Sequence, residues 1–486
     1  MVVSSVGDLL DILTEAEFQG GSAARRRRVR VLETDSRSLT KGCAFVALRG
    51  ERFDGHDFVP HAFRLGASVA VVSRQWHRSR AGRRVADPLV IVDDPLAAYG
   101  LIARAHRDAF DIPVVAVAGS NGKTTTKELV ADLLSLRWNV LRTFGNLNNQ
   151  IGVPATLLRL RPEHQVAVIE IGTNSPGEIA TLCRIVDPTH GLITSIGREH
   201  LELLGSIEGV AREEGALFDY LAHSGGTGIV NMNDPHVAPL RKSLRHVVTY
   251  GTRGRVDVRG TLVGGDRWGA PRVRIVDRVS SRTLTFPVSL RTPGSHSVLN
   301  ALAAAATARS LGMSTSMIRK GLESFVPEVS PHGYGRLAPM MANCGAPLLN
   351  DTYNANPDSM IAGLETLASI TPAPGGIRIA VLGDMLELGR GSALEHRRLA
   401  DEIDRIGRID QAIFFGPQMK FAWRRLTRLA REKGARLPLY FEEKDRLIEA
   451  VVAILSAADV MLVKGSRGMR MEEVVAAAVM MSNEDR

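Results

Sequence analysis

Residues 114–134 read VVAVAGSNGKTTTKELVADLL: an apolar run, a glycine-rich turn carrying Lys123 and Thr124, then a stretch with Leu129, Val130, Leu133 and Leu134 at helical spacing. Strand, tight turn and helix start in that order are the context in which backbone N–H groups and the positive end of a helix hold phosphate. The residue types suit that chemistry. Gly119 and Gly122 let the backbone close around oxygens, Lys123 would neutralise phosphate charge, and Thr124 would ligate magnesium. Ser120, Asn121 and Thr125 complete the candidate ATP loop. The turn is shorter than the GxxxxGK[ST] pattern, with only two residues between its glycines.

Working outward, the same buried-strand and glycine-turn pattern recurs at 166–172 (VAVIEIG), 191–197 (GLITSIG) and 228–234 (GIVNMND). Apolar runs alternating with helical stretches predict a parallel sheet covered on both faces. Between about 245 and 292 the period changes to two, as in Leu284, Phe286, Val288 and Leu290, which predicts an antiparallel appendage. The helix LNALAAAATARSLG then closes the central unit. Beyond Pro327 to Pro331 the alternation resumes at 347–353, 378–385, 412–416 and 460–466, and ahead of it lie short strand-like runs at 43–48 and 67–72. The expected fold class is α/β with three domains. These are a small N-terminal α/β domain (1–111), a central P-loop mononucleotide-binding parallel sheet with an antiparallel appendage (112–328), and a C-terminal Rossmann-like doubly wound domain (329–486).

Composition narrows the function classes. The 486 residues have no apolar stretch approaching the roughly 20 needed to span a bilayer, and the N-terminus lacks the basic and apolar regions of an export signal. A cytoplasmic protein with no membrane partner is expected. Cys43, Cys183 and Cys344 are scattered and lack ligand spacing, so neither disulfides nor zinc are expected. The net charge is +9, partly from the run Arg25–Arg28 and Arg30, but with aromatics at 5% stacking platforms are scarce. A solvated basic face is the expectation, with no nucleic-acid partner; a nucleic-acid-stimulated ATPase is the alternative that the charge leaves open. Glu170 ends the run VAVIE at the edge where ligands of such sheets bind, and is a candidate magnesium ligand. His200, in the GREH stretch after GLITSI, is the candidate ligand of a second magnesium.

These residues, together with others, resemble the Mur ligase family, the ATP-dependent amide-forming enzymes of peptidoglycan precursor synthesis, and within it the branch that adds D-alanyl-D-alanine. The resemblance covers nearly the whole chain. It rests on Thr34-Asp35-Ser36-Arg37 and the GERFDGHD stretch (50–57), on the short GSNGKTT loop, on GNLNNQIGVP (145–154) and on EIGTN (170–174) followed by Pro176-Gly177-Glu178. It rests further on NDTYNANP (350–357), LGDMLELG (382–389) and KGSR (464–467). The loop alone would also fit folylpolyglutamate synthases, whereas NLNNQIGVP and DTYNANP are particular to the D-alanyl-D-alanine-adding branch. Another amide ligase of this fold with a different acceptor is the alternative.

The resemblance implies ATP and Mg2+ as cofactors and UDP-MurNAc-tripeptide and D-alanyl-D-alanine as substrates; a monomer is expected. Asp35, Ser36 and Arg37 would hold the uridine diphosphate end, and Asn146, Asn148, Asn149, Thr173 and Asn174 the muramoyl-peptide path. Lys123, His200 and Arg336 would be catalytic, with Arg336 reaching the γ-phosphate and Asp351 near the ribose. Asn354 and Asn356 would face the acceptor dipeptide. Two departures from the family pattern stand out. Where the family carries a carbamylated lysine, this chain has Glu214, which would supply a carboxylate directly, with Glu213 one residue away, or no ligand at all, as the alternatives. Where the family has asparagine after the histidine of GSH (294–296), this chain has Ser297, which leaves Asn300 to carry more of the adenine contact.

Overall fold

The computed structural model describes residues 3–50, 53–280, 282–327, 329–330 and 332–480. Glu51 and Arg52 of the GERFDGHD stretch, Pro331, and Glu328 at the expected domain boundary lie outside these. The chain forms two compact units, one of Met1–Ala116, Trp138–Gly172 and Gly177–Thr189, the other of Val117–Arg137, Thr173–Pro176 and His190–Arg486. The division falls inside the strand Val114–Ala118.

The first unit contains a five-stranded sheet in the order Glu17–Gln19, Leu89–Val92, Val69–Ser73, Ala44–Val46, Leu32–Glu33. All its pairings are parallel except that of the outermost strand Glu17–Gln19. Val69, Val71 and Val90 fill one face and Ala70, Val72 and Leu89 the other, as strand alternation requires. The unit also holds Val140–Arg142 and Val166–Glu170, paired in parallel.

In the second unit His190–Ile193, Thr227–Asn231, His246–Gly251 and Val258–Gly265 pair successively in parallel. Pro271–Asp277 and Leu284–Ser289 then add antiparallel strands. The antiparallel part therefore begins later than the expected position near 245, because His246–Gly251 joins the parallel series. Alternating burial sets in fully only at Pro271–Asp277, where Pro271, Val273, Ile275 and Asp277 are inward.

The C-terminal sheet runs Ala338–Met341, Pro347–Asp351, Val460–Lys464, Arg378–Gly383, Gln411–Phe415, Leu439–Phe441, antiparallel only at its first pairing. Ala380, Leu382, Phe414 and Leu462 face one apolar layer, and Ile379, Val381, Ile413, Met461 and Val463 the opposite one. Helices cover both faces, the arrangement of a doubly wound domain. Of the expected site residues, Asp351 ends the strand Pro347–Asp351 and Asn354 and Asn356 follow it, whereas Arg336 precedes the strand Ala338–Met341. Among the described residues no helix is long and apolar enough to cross a membrane.

Phe414 is fully buried between the sheet and its helices. Phe414→Ala should cost roughly 3–5 kcal/mol through lost burial and the cavity left behind, read as a fall in ΔG of unfolding by chemical denaturation.

Candidate active site

The phosphate loop is shaped by what its neighbours leave room for. Gly119 has φ +113°, and a Cβ there would lie 2.4 Å from Thr194 Oγ1 and 2.8 Å from Thr194 N, so no larger residue fits. The N–H of Ser120 donates to Ser195 O at 2.7 Å, and the N–H of Gly197 donates to Ser120 Oγ at 2.8 Å. Gly122, at φ +81°, is the N-cap of the helix Lys123–Ser135, whose Leu129, Val130, Leu133 and Leu134 are buried as their spacing predicts. The helix thus opens at Lys123 and Thr124 with its positive end toward the loop.

Three ionisable side chains, Lys123, Glu199 and Glu214, meet here. Lys123 Nζ lies 3.5 Å from Glu199 Oε2 and donates to Ser120 O at 3.4 Å. Glu214 projects from the helix Ile207–Ser224, which Ser206 caps at its start and Gly225 ends in the left-handed conformation. The N–H of Gly119 donates to Glu214 Oε2 at 2.8 Å. Glu213, one residue earlier, instead accepts from Thr173 Oγ1 at 3.3 Å. The two adjacent glutamates therefore have different partners, and it is Glu214 that touches the loop.

Glu214 is fully buried, and burial pushes its carboxyl up to about 8. The neighbouring Glu199 and Glu213 add to the rise, while Lys123 and the Gly119 N–H oppose it. The second carboxylate oxygens of Glu214 and Glu199 are buried without a hydrogen-bond partner. Orphaned carboxylate oxygens beside a phosphate loop fit a divalent cation, since unpaired buried polar atoms are costly. Among the described residues no three His, Cys, Asp or Glu side chains form a metal-holding group. Magnesium commonly takes one or two carboxylates and completes its shell with water and substrate phosphate.

His200 caps a short helix at φ +47° and lies 3.4 Å from Glu387 Oε2, itself at φ +62°. Hydrogen bonding to His200 holds the Glu387 carboxyl below the usual range. Asn300, on the helix His296–Ser310, places Oδ1 within 2.8 Å of where a Cβ on Gly122 would sit. Ser297 turns inward and donates to Gly294 O at 2.6 Å.

Asp351 ends the strand Pro347–Asp351, with Lys464 Nζ 2.7 Å from its Oδ2 and the Leu337 N–H donating to its Oδ1 at 3.1 Å. Lys464 also donates to Asn354 O at 3.0 Å. The Arg336 guanidinium lies 3.7 Å from the ring centroid of Tyr353, a cation–π stack, and Arg467 stacks on Tyr334 at 3.9 Å. Asn356 caps the helix Pro357–Ser369 through Ser359 N at 2.8 Å and donates to Asn121 Oδ1 of the phosphate loop at 3.0 Å.

Other expected residues lie in the first unit. Glu170 ends the strand Val166–Glu170, and its Oε1 accepts from Asn148 Nδ2 at 2.9 Å. Asn149 Oδ1 accepts from Ile151 N and Gly152 N, opening the helix Gly152–Leu157. Asn146 is exposed, and its carbonyl accepts from Asn148 N at 2.8 Å. Asp35 and Arg37 pair with each other at 2.7 Å around the half-buried Ser36, and the hydrogen bond from Arg37 holds the Asp35 carboxyl down to about 2. In the second unit Thr173 Oγ1 also donates to Ser175 O, beside the exposed Asn174. Sequence reasoning had not singled out Glu199, Arg198 or Lys464 as site residues. Of these only Lys464 carried a signal, as the first residue of KGSR.

Comparison with known proteins defines the class. Family models match the Mur ligase family catalytic domain over residues 28–107, the Mur ligase middle domain over 117–308, and the Mur ligase glutamate ligase domain over 335–467. The chain belongs to the Mur ligase family. It is 37% identical to the UDP-N-acetylmuramoyl-tripeptide–D-alanyl-D-alanine ligase of Escherichia coli (strain K12), covering 98% of each chain, and 39% identical to that of Synechocystis over 78% of each. Among solved structures it resembles MurF from Acinetobacter baumannii with a TM-score of 0.84 and 30% identity, covering 98% of this chain and 99% of that one. It also resembles MurF from Thermotoga maritima in complex with ADP, with a TM-score of 0.78 and 26% identity, covering 92% and 97%.

Two outcomes follow from the loop. Protonated Glu214 is favoured in the folded chain, so its contribution is complete below pH 4.5 and is lost as pH rises toward 8. Glu214→Gln, which cannot ionise, should flatten the fall in Tm across that interval without nucleotide or metal. Glu199→Gln removes the carboxylate that occupies Lys123 and should tighten ADP binding several-fold by calorimetry, at about 1.4 kcal/mol per tenfold change.

Proposed function

We propose that this chain joins D-alanyl-D-alanine to UDP-MurNAc-tripeptide at the cost of ATP, giving the UDP-MurNAc-pentapeptide precursor of peptidoglycan, ADP and phosphate. The observation that carries this reading is similarity over 98% of the chain to a UDP-N-acetylmuramoyl-tripeptide–D-alanyl-D-alanine ligase, joined to a phosphate loop beside which Lys123 acts electrostatically on the buried Glu214. The proposal includes a monomer acting in the cytoplasm and the functional domains 1–111, 112–328 and 329–486.

In the proposed reaction a carboxylate oxygen of the tripeptide attacks the γ-phosphorus of ATP, and the bond to the β-phosphate oxygen breaks to release ADP. The amine of the dipeptide then attacks the carbonyl carbon of the acyl phosphate. The tetrahedral intermediate loses phosphate, and the amine proton passes to solvent. Positioning and electrostatics dominate phosphoryl transfer, so no enzyme nucleophile is needed. Lys123 would exchange Glu199 for a phosphate oxygen, and Arg336 would leave the face of Tyr353 for the γ-phosphate. Gly119, Ser120, Asn121, Gly122, Thr124 and Thr125 would cradle the phosphates, Asn300 would approach the adenine, and Asp351 the ribose, held in place by Lys464.

Thr124, Glu170, His200 and Glu214 are the residues we propose to hold magnesium, which when bound neutralises phosphate charge and orients the γ-phosphoryl group. Glu214 supplies its carboxylate without any addition to the side chain. Asp35, Ser36 and Arg37 would bind the uridine diphosphate, Asn146, Asn148, Asn149, Thr173 and Asn174 would line the muramoyl peptide, and Asn354 and Asn356 the dipeptide.

Purified protein with ATP and Mg2+ should release phosphate only when both UDP-MurNAc-tripeptide and D-alanyl-D-alanine are present. D-alanine or L-glutamate should not replace the dipeptide; activity with either would move the chain to a sister ligase. Wild-type activity should not change when bicarbonate is removed, and Glu214→Ala should lower it by roughly tenfold to a hundredfold.

A further inference from the structure

The stretch Gly197–His200 sends consecutive side chains in different directions. Glu199 turns to Lys123, as described, whereas Arg198 turns to the C-terminal region. Its Nε and Nη2 lie 3.2 and 2.6 Å from Asp358 Oδ1, and its backbone N–H donates to Asp358 Oδ2 at 2.8 Å. Nη1 reaches Glu395 Oε2 at 3.0 Å, on a carboxylate that also accepts from Arg398 at 2.6 Å. One arginine thus holds two acids from two different helices, Pro357–Ser369 and Ser392–Ile406, with Glu395 almost wholly buried.

The contact is close packed. A Cβ on Gly197 would lie 2.8 Å from Asp358 Oδ2 and 3.2 Å from Asn121 Nδ2, so the backbone approaches both because residue 197 is glycine. Asp358 sits in the first turn of its helix, two residues after Asn356, which itself reaches Asn121. The fork of hydrogen bonds to Asp358 is charge-assisted and directional, a geometry that fixes orientation as well as distance.

We propose that Arg198 is a positioning residue that seats the C-terminal region against the phosphate loop, setting the placement of Asn356, of the strand-end Asp351 and of Arg336. It touches neither nucleotide nor substrate and acts through Asp358 and Glu395. The kinetic part rests on the ligase reading; the docking part does not.

The test compares wild type with Arg198→Ala, Arg198→Lys and Asp358→Asn by small-angle scattering, thermal unfolding and phosphate-release kinetics. Arg198→Ala and Asp358→Asn should each enlarge the radius of gyration of the ligand-free chain and lower kcat by roughly tenfold or more. Arg198→Lys, which keeps the charge but not the fork, should fall between. The double variant Arg198→Ala with Asp358→Asn should be no worse than the more severe single one, as partners in one interaction require. An unchanged radius would overturn the proposal even if Tm drops, since that is what a merely stabilising ion pair would give. A larger radius with kcat unchanged would overturn it too. If Arg198→Ala does not fold, the near-isosteric Asp358→Asn carries the same comparison. If wild type shows no phosphate release, the ligase reading fails while the radius still decides the docking role.

Discussion

The N–H of Gly119 donating to the carboxylate of Glu214 ties the phosphate loop to the helix Ile207–Ser224, and the candidate site depends on that contact. A carboxylate removed from water needs partners, and one hydrogen bond from a backbone amide leaves it short of them. Burial raises the proton affinity of Glu214, its second oxygen stays without a partner, and Lys123 is the nearby positive charge that eases its ionisation. The site therefore has a latent demand for a cation. A helix with a well-made cap and a left-handed stop is needed to hold that acid still, and Ser206 and Gly225 provide both ends.

Backbone strain gathers near the same place. Of the five non-glycine residues with positive φ among those described, His200, Glu387 and Leu337 all belong to candidate-site neighbourhoods. His200 and Glu387 face each other, and the Leu337 N–H holds Asp351. Left-handed backbone at such residues costs on the order of 1–3 kcal/mol each, so surrounding contacts must over-determine the conformations. The buried Lys464–Asp351 pair is one such contact at Leu337.

Much of the fold was legible because parallel sheets buried on both faces write themselves as apolar runs, and 114–118, 166–170, 378–383 and 460–464 are such runs. The short strands Val140–Arg142 and Ala338–Met341 were not legible, being too brief for a period to show and, in the second, interrupted by Pro339. The phosphate loop was visible because its residues are contiguous. Arg198 was invisible because Asp358 and Glu395 lie 160 and 197 residues away and nothing local marks them as its partners. Nor does sequence spacing alone settle which of Glu213 and Glu214 meets Gly119; the loop's approach to the helix does.

The pairing of Lys123 with Glu199 has a consequence for how the chain responds to its ionic surroundings. In the proposed reaction an arriving phosphate would not meet a bare ammonium; it would trade places with a counter-ion the protein already carries. Such an exchange leaves the number of ion pairs at Lys123 unchanged, and the displaced carboxylate becomes available to whatever cation travels with the nucleotide. Binding of this kind releases few mobile ions from the loop itself, so nucleotide affinity would vary only gently with salt even though the protein as a whole is strongly basic.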